Sequence, residues 1–407
     1  MRNLFTTLLI LVSSLSFSQG VWNFYSTSNS PLPENSVRCI SIDSQGRKWI
    51  GTDYGVAVFD DVSWTVYLPF VTGLPSPSVR AIVFDSLDNA WIGSLGGGIA
   101  KFDGTTWTVY DNSNSPLQDN SVRALDIDSA GALWVGNQDG LAKFDGTNWG
   151  IYSSANSIIQ NTIASLHSTS NQRIFAGSIN GGLFILNQDT IKSNFTIANG
   201  SGIPDNTQLA FDEDSLGNVW FATPANGIVA WKNIGGWFWY YMGNSLLPSN
   251  SLSDLQFTND ESSLWLATAD SGIIKKTGTV YKSFTTVNSL MPDNNVQCLT
   301  IDNNGVLWIG TATQGVVKFQ ETTSIDDLNS QMNLSVYPNP VEDKLIIKSN
   351  NLIKYHELTD VTGKVIASDK SDSYFLNISM NTLSKGIYFL KISDNNERSV
   401  VKKIFKN

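Results

Sequence analysis

The sequence predicts an all-β protein in which seven four-stranded units form a closed ring, followed by a small C-terminal β-sandwich. Three observations predict this architecture. A four-residue pattern, with an aromatic residue first and glycine or alanine third, occurs seven times. Its copies start 41 to 45 residues apart, and short apolar segments and turn residues flank each copy. A segment with a different rhythm follows the last copy.

The copies begin at Trp49, Trp91, Trp134, Phe175, Trp220, Trp265 and Trp308. A near-constant period of this length is typical of repeat architectures. Each repeat contains four short strand-like segments separated by Gly, Pro, Asn and Asp, with no helical periodicity. Four-stranded units at this period are propeller blades. We therefore expect a seven-bladed β-propeller over residues 20–320.

The two ends of the repeat array predict how the ring closes. First strands are expected near Val37, Val79, Val122, Ile163, Gln208, Leu252 and Val296, and last strands near Trp22, Trp64, Trp107, Trp149, Phe195, Trp239 and Phe284. One last strand therefore precedes the first full repeat, and none follows the seventh. We expect Trp22–Tyr25 to pair with Val316–Phe319, which leaves no open sheet edge in the ring.

Residues 1–18 have the features of a signal peptide. Arg2 precedes an apolar run from Leu4 to Leu15, and small residues lead to a cleavage site before Gln19. The alternative, a membrane anchor, is disfavoured because a spanning helix needs about 20 apolar residues. We expect an exported mature protein without a membrane span. A net charge of −10 disfavours nucleic acid and anionic membrane surfaces as partners.

The repeats resemble a known family. The pattern Leu-Pro-x-Asn-Ser-Val-Arg, followed by Asp-x-x-Gly-x-Leu-Trp-Ile-Gly-Thr and then Gly-Leu, resembles the two-component regulator propeller repeat from about Trp22 to Phe319. The resemblance implies a propeller of the kind found in periplasmic sensors, many of them carbohydrate-sensing, and in secreted proteins without a kinase. No kinase segment is recognisable here, so the signalling role is not expected.

Residues 321–331 are polar and are expected to form a linker. Residues 332–407 contain six short alternating segments, which predict a small β-sandwich. Its motifs resemble a type A sorting domain of the type IX secretion system, and are formed by Tyr337, Pro338, Asn339, Pro340, Gly363, Gly386, Tyr388, Lys402 and Lys403. The resemblance implies contact with the secretion machinery, passage through the periplasm, and a secreted or outer-surface location.

Arg38, Arg80 and Arg123 occupy one repeat position in three consecutive blades. They predict a basic sector at the channel mouth that suits carboxylate or sulfate. The alternative is that each arginine ties down the loops of a neighbouring blade. Cys39 and Cys298 share another repeat position, and we expect free buried thiols rather than a disulfide.

Blade five is unusually aromatic. Trp237, Trp239 and Tyr241 are candidate ligand-binding residues because an exposed aromatic patch marks an interaction surface. The alternative is packing between blades, which is the expected role of the repeated Trp. The Asp of each Asp-x-x-Gly segment fits turn chemistry better than calcium binding. No metal or cofactor site is predicted.

Catalytic motifs are absent from the sequence, which contains only two histidines, His167 and His356. We therefore expect a binding or adhesion module that recognises an extracellular polysaccharide or a surface protein. The alternative is a polysaccharide lyase or glycoside hydrolase acting at the channel mouth. A purely structural surface component is the third class of function.

Overall fold

A computed structural model of the protein describes residues 20–153, 162–187, 189–232, 236–321, 334–360, 364–394 and 399–407. The predicted signal peptide lies outside these residues, as does the predicted linker apart from Glu321. The chain divides into two compact units, Met1–Gln320 and Glu321–Asn407. The regular elements in the described residues are β-strands.

The first unit consists of seven four-stranded antiparallel sheets, the blades of a propeller. The first strands of blades one to seven are β2 (Val37–Ile42), β6 (Val79–Phe84), β10 (Val122–Ile127), β14 (Ile163–Ser168), β18 (Ala210–Glu213), β22 (Leu252–Phe257) and β26 (Val296–Ile301). The second strands are β3 (Lys48–Thr52), β7 (Ala90–Ser94), β11 (Leu133–Asn137), β15 (Arg173–Ser178), β19 (Val219–Ala222), β23 (Leu264–Thr268) and β27 (Leu307–Thr311).

The outer strands follow in the same order. The third strands are β4 (Gly55–Phe59), β8 (Gly98–Phe102), β12 (Gly140–Phe144), β16 (Leu183–Asn187), β20 (Ile228–Lys232), β24 (Ile273–Thr277) and β28 (Val316–Glu321). The last strands are β5 (Trp64–Tyr67), β9 (Trp107–Tyr110), β13 (Trp149–Ser153), β17 (Thr190–Phe195), β21 (Gly236–Tyr240), β25 (Val280–Phe284) and, for blade seven, β1 (Gly20–Tyr25).

The predicted closure is confirmed, because β1 pairs with β28 and completes the sheet of blade seven. Six first strands begin at the predicted residue. The fifth begins at Ala210 instead of Gln208, and the Gln208 N–H donates to Ser178 O of blade four at 3.4 Å.

Packing between blades explains the repeated pattern. Trp49 of blade one lies 5.7 Å from Phe84 and 6.3 Å from Phe102 of blade two, measured between ring centroids. The glycine of the pattern allows the next blade to approach: a Cβ on Gly93 would lie 2.6 Å from Val122 Cγ1. First strands of neighbouring blades contact each other around the ring and so surround its centre.

The second unit is a small all-β domain. Its strands are β29 (Leu334–Tyr337), β30 (Lys344–Asp360), β31 (Val365–Ser379), β32 (Gly386–Asp394) and β33 (Ser399–Lys406), paired in the order β29-β30-β32-β33 with β31 beside β30. Four of the predicted short strands are halves of β30 and β31. Register shifts divide each long strand, and both halves contribute side chains to one core.

Candidate functional site

Arg38, Arg80 and Arg123 each lie in a β-bulge near the start of a first strand. In blade one, Val37 faces Thr52 and Cys39 faces Gly51, so Arg38 is the extra residue in the ladder. The same irregularity occurs at Arg80 and Arg123. A bulge redirects the side chain of the extra residue. The local fold therefore gives this repeat position its own orientation at one end of the ring.

Arg38 is held by residues of two blades. Its Nε donates to Asp53 Oδ2 at 2.9 Å, and its Nη1 donates to Gln297 Oε1 at 3.1 Å. Gln297 occupies the bulge position of blade seven. The bulge residues of blades one and seven are therefore in direct contact.

Asp53 is the carboxylate of this sector, and follows β3 directly. Its Oδ2 also accepts from Ser36 Oγ at 2.8 Å, and its Oδ1 accepts from Ser78 Oγ at 3.0 Å. Burial would raise the pKa of Asp53, but hydrogen bonds from Arg38, Ser36 and Ser78 lower it to about 2. Asp53 is thus ionised at neutral pH and fixed between blades one and two.

Arg80 lies between the other two arginines. Its Nη2 is 3.2 Å from Asp53 Oδ1. The pKa of Arg80 is lowered by burial first, and then by the charge of Arg38; the charge of Arg123 acts in the same direction. Its Nε is buried and has no hydrogen-bond partner in the described part of the chain. One carboxylate therefore faces two guanidinium groups here.

Arg123 differs from its two neighbours. Within the described residues it forms no ion pair, and its Nε is buried without a hydrogen-bond partner. The interpretation that each arginine ties a loop of a neighbouring blade thus describes Arg80, whose partner Asp53 belongs to blade one, but not Arg123; Arg38 instead bonds to Asp53 of its own blade and to Gln297 of blade seven. The equivalent positions of the remaining blades, of which blade five has no bulge, are uncharged: Ala164, Leu209, Ser253 and Gln297. The positive charge is confined to the sector formed by blades one to three.

Further along the first strands, buried acids connect adjacent blades. Asp254 Oδ2 accepts from Leu299 N at 2.7 Å, and Asp212 Oδ2 accepts from Phe257 N at 2.6 Å. Burial raises the pKa of both carboxyls, that of Asp254 to about 7. His167 lies in the same region, with Nε2 3.9 Å from Glu213 Oε2. These acids are already bonded to the backbone of the next blade, which is a structural role.

The two cysteines are free; Cys298 is buried, as expected, whereas Cys39 is only partly buried. Burial raises the pKa of Cys39 to about 12 and that of Cys298 well above its ordinary value. The electrostatic influence of Cys39 on Cys298 reflects their proximity across the closure between blades one and seven. Two protonated thiols in this position are poor nucleophiles.

The aromatic residues of blade five are divided between two roles. Trp237 packs edge-to-face against Phe195 of blade four, with centroids 5.0 Å apart, and belongs to a buried cluster. Trp239 is 39% exposed, and Tyr241 is partly buried. Trp237 therefore packs between blades, whereas Trp239 remains a candidate ligand-binding residue.

The repeated Asp has a role that the sequence analysis missed. Asp43, Asp85, Asp128, Asp214 and Asp302 accept hydrogen bonds from the indoles of Trp49, Trp91, Trp134, Trp220 and Trp308 at 2.9 to 3.1 Å. The constant six-residue spacing between Asp and Trp was the signal for this pairing. In the described residues, no three His, Cys, Asp or Glu side chains gather as metal ligands would.

Several predicted sorting residues meet in the second unit. Asn339 Nδ2 donates to Lys403 O at 2.9 Å, and Asn339 Oδ1 accepts from Phe405 N at 2.8 Å. Tyr388 is buried, and its hydroxyl donates to Ser384 O. Tyr337, Pro338 and Pro340 flank Asn339 and are not buried; Gly386 opens β32, and Lys402 lies in β33. Gly363 lies outside the described residues.

Two family models match the chain. The two component regulator propeller model matches residues 31–54 and 290–313. The secretion system C-terminal sorting domain model matches residues 335–407. A sorting domain of this kind directs export to the outer cell surface or out of the cell. The described part of the chain contains no helix with the length and apolar character that a membrane crossing requires.

Solved structures with the same fold include three with different printed roles. The extracellular domain of a hybrid two component system from B. thetaiotaomicron aligns at 20% identity and TM-score 0.65, over 95% of this chain and 58% of that one. PorZ, a surface component of the type-IX secretion system of Porphyromonas gingivalis, aligns at 18% identity and TM-score 0.59, over 92% and 59%. Virginiamycin B lyase from Staphylococcus aureus aligns at 13% identity and TM-score 0.60, over 74% and 99%.

The chain thus spans less than 60% of the length of the first two of these structures. At such low identities the likeness concerns the fold alone. No curated protein sequence matches the chain. The repeats, the fold and the tail nevertheless agree on one description: the chain carries two component regulator propeller repeats in a seven-bladed propeller, followed by a secretion system C-terminal sorting domain.

Proposed function

We propose that the exported propeller is a binding module that recognises an acidic extracellular polysaccharide through Arg38, Arg80 and Arg123. The observation that carries the proposal is the excess of positive charge in this sector. Two guanidinium groups, those of Arg38 and Arg80, share the single carboxylate of Asp53, and Arg123 forms no ion pair in the described part of the chain. Guanidinium groups suit carboxylates and sulfates because they donate two parallel hydrogen bonds.

The location of the chain supports an extracellular polymer as the ligand. The sorting domain is consistent with a ligand outside the cell, and the sector of blades one to three places three arginines together in a protein whose net charge is −10. Such a local reversal of charge attracts anionic ligands even when the whole protein is acidic. A surface protein with an acidic segment is the second partner that this site would accept.

Arg123→Gln is the sharpest test of the proposal. Since Arg123 has no carboxylate partner, the variant should keep the stability of the wild type yet bind polygalacturonate about tenfold more weakly, as loss of one charged hydrogen bond implies. Binding is measured with the full chain by interferometry on immobilised polymer. Arg47→Gln, at the opposite end of β2, is the matched control and should leave binding unchanged.

Replacing all three arginines with Gln should abolish binding of polygalacturonate and of sulfated polymers at moderate salt. A reducing-end assay on every polymer that binds separates recognition from hydrolysis, and absorbance of unsaturated products detects a lyase. Unaltered binding by the triple variant would exclude the basic sector. If new chain ends appear, the protein is an enzyme that cleaves the polymer, and the proposal of a binding module is wrong.

A further inference from the structure

An aromatic pair fills the space between the outer parts of neighbouring blades. In blades one to three, the pair consists of the fifth residue of the third strand and the first residue of the last strand. Its stacked rings are Phe59 and Trp64 at 4.4 Å, Phe102 and Trp107 at 4.6 Å, and Phe144 and Trp149 at 4.7 Å. Phe102 also lies 5.2 Å from Tyr67 of the preceding blade. The pair thus seals the junction between two blades.

Blade six lacks this aromatic pair. Lys276 stands in the place of the Phe and Tyr281 in the place of the Trp, because Lys276 pairs with Tyr281 in the same register as Phe102 with Trp107. A cavity of about 340 Å³ opens at the junction of blades five and six. Its lining includes Tyr240, Asn244, Ser245, Leu246, Lys276 and Tyr281, which we call the blade-six pocket.

The walls of the blade-six pocket are aromatic and partly accessible. Tyr240 stacks on Trp220 with an interplanar angle of 5°, so its ring is held in one orientation. Leu246, at the rim, is 79% exposed. A cavity of this volume falls in the range of small-ligand sites, which combine apolar walls with a few polar groups. Asn244 and Ser245 lie at one side, where their side chains bond to the backbone of the turn: Asn244 Oδ1 accepts from Tyr241 N at 2.9 Å, and Ser245 Oγ donates to Tyr241 O at 2.8 Å.

Lys276 provides a charge without a counter-ion. Its Nζ lies 5.1 Å from the centroid of Tyr240 and 5.9 Å from that of Tyr281, and donates to Gly278 O at 2.7 Å. Within the described residues Lys276 forms no ion pair. Lys101, Lys143 and Lys318, which do pair with aspartates, occupy the repeat position of Lys275 one residue earlier, so Lys276 is an additional charge at a position where these blades have Phe. An anion bound in the pocket would supply a counter-ion for the Lys276 ammonium.

We propose that the blade-six pocket binds a uronate, a pyranose that carries one carboxylate. The C–H groups of a pyranose face suit the negative faces of Tyr240 and Tyr281. The single carboxylate matches the single ammonium of Lys276. A phosphate or sulfate cluster would need more cations than the pocket offers. The site is separate from the basic sector and does not depend on the arginines.

The test uses the full chain with methyl glucuronide and methyl glucoside as probes, and measures binding by ligand-detected NMR. The wild type should bind the glucuronide at least fivefold more tightly than the glucoside. Lys276→Gln keeps the cavity but removes the charge, so the two sugars should bind equally. Lys276→Phe combined with Tyr281→Trp restores the aromatic pair of the other blades and should abolish binding of both.

Two control variants identify the source of any effect. Lys275→Gln, on the other face of β24, should keep the preference for glucuronide, and so should Arg123→Gln if the two sites are independent. The proposal is overturned if the wild type binds neither sugar, if the double variant binds as the wild type does, or if the preference survives in Lys276→Gln. Because the double variant carries residues that other blades already use, it is expected to fold.

Discussion

Blades one to three and blades four to six share a backbone but differ in the side chains between them. The first three carry an arginine in each bulge and a stacked Phe and Trp at each outer junction. At the same pair positions, blades four to six have Leu186 and Ile191, Trp231 and Trp237, and Lys276 and Tyr281. All six nevertheless form four-stranded sheets.

The comparison separates what the fold requires from what it tolerates. The second-strand aromatic and the small residue two positions later occur in every blade, because that strand is buried between neighbours. The outer pair and the bulge residue vary, and both of the proposed sites depend on them. We therefore expect the functional sites of a propeller at positions where the residue of one blade differs from those of the other blades.

The largest expected effect concerns the outer pair. Phe102→Ala removes a buried ring that contacts Trp107, Tyr67 and Trp49, so it should lower the free energy of unfolding by about 4 kcal/mol. Lys276→Ala, at the same position of blade six, should cost less than about 1 kcal/mol because no ring is removed. Urea unfolding of both variants measures these two losses of unfolding free energy. Similar losses would contradict the claim that the outer aromatic pair stabilises blade two more than Lys276 stabilises blade six.

The second prediction concerns the buried Asp254, where blades two and three have Ala81 and Ala124. Burial raises its pKa to about 7, above that of the unfolded chain. The folded state then binds the proton more tightly, so stability is highest below the unfolded pKa and is lost as pH rises through 7. Asp254→Asn should remove this loss of unfolding free energy, which in the wild type is at most about 3 kcal/mol between pH 5 and pH 8.

The pH dependence is measured as the difference between variant and wild type in thermal unfolding at each pH, so that other titrating groups cancel. The variant should be the more stable protein at pH 8 and should approach the wild type at pH 5. A constant difference across this range would show that Asp254 is ionised in the folded protein at every pH tested. Asp205→Asn, an acid outside the first strands, is the control.

Much of the fold could be predicted because its determinants are local and repeated. Spacing, turn residues and strand pattern predicted seven blades and the pairing of β1 with β28. The tail was also assigned from local motifs. The six short segments expected in the tail were wrong in detail, because β30 and β31 each join two of them and continue through register shifts that the residue pattern does not reveal.

The candidate sites were harder to predict because they depend on neighbours in space. The position of Arg38, Arg80 and Arg123 was identified from the repeat, but the bulges and the role of Asp53 were not. Lys276 was overlooked, although a comparison of the blades position by position would have shown a lysine where others have Phe. A comparison of equivalent positions between blades reveals such a candidate site, whereas a search for known motifs does not.

The smallest expected effect concerns the bond between Asp and Trp. Blade six lacks it because Thr258 replaces the Asp, and blade four lacks it because Thr169 replaces the Asp and Phe175 replaces the Trp. Asp85 Oδ2 accepts from Trp91 Nε1 at 3.0 Å. Although burial opposes it, hydrogen bonds from Asn89 and Trp91 lower the pKa of Asp85. Asp85→Asn should therefore lower the free energy of unfolding by about 1 to 2 kcal/mol at pH 7.

The sign of the pH dependence distinguishes Asp85 from Asp254. The stability that Asp85 contributes is present above the unfolded pKa and is lost as pH falls through the folded pKa. The difference between Asp85→Asn and the wild type should therefore shrink when urea unfolding is repeated near pH 3. Thr258→Ser in blade six, which has a hydroxyl at this position, should show no such change. A difference for Asp85→Asn that persisted at low pH would mean that the bond to Trp91 does not require the ionised carboxylate.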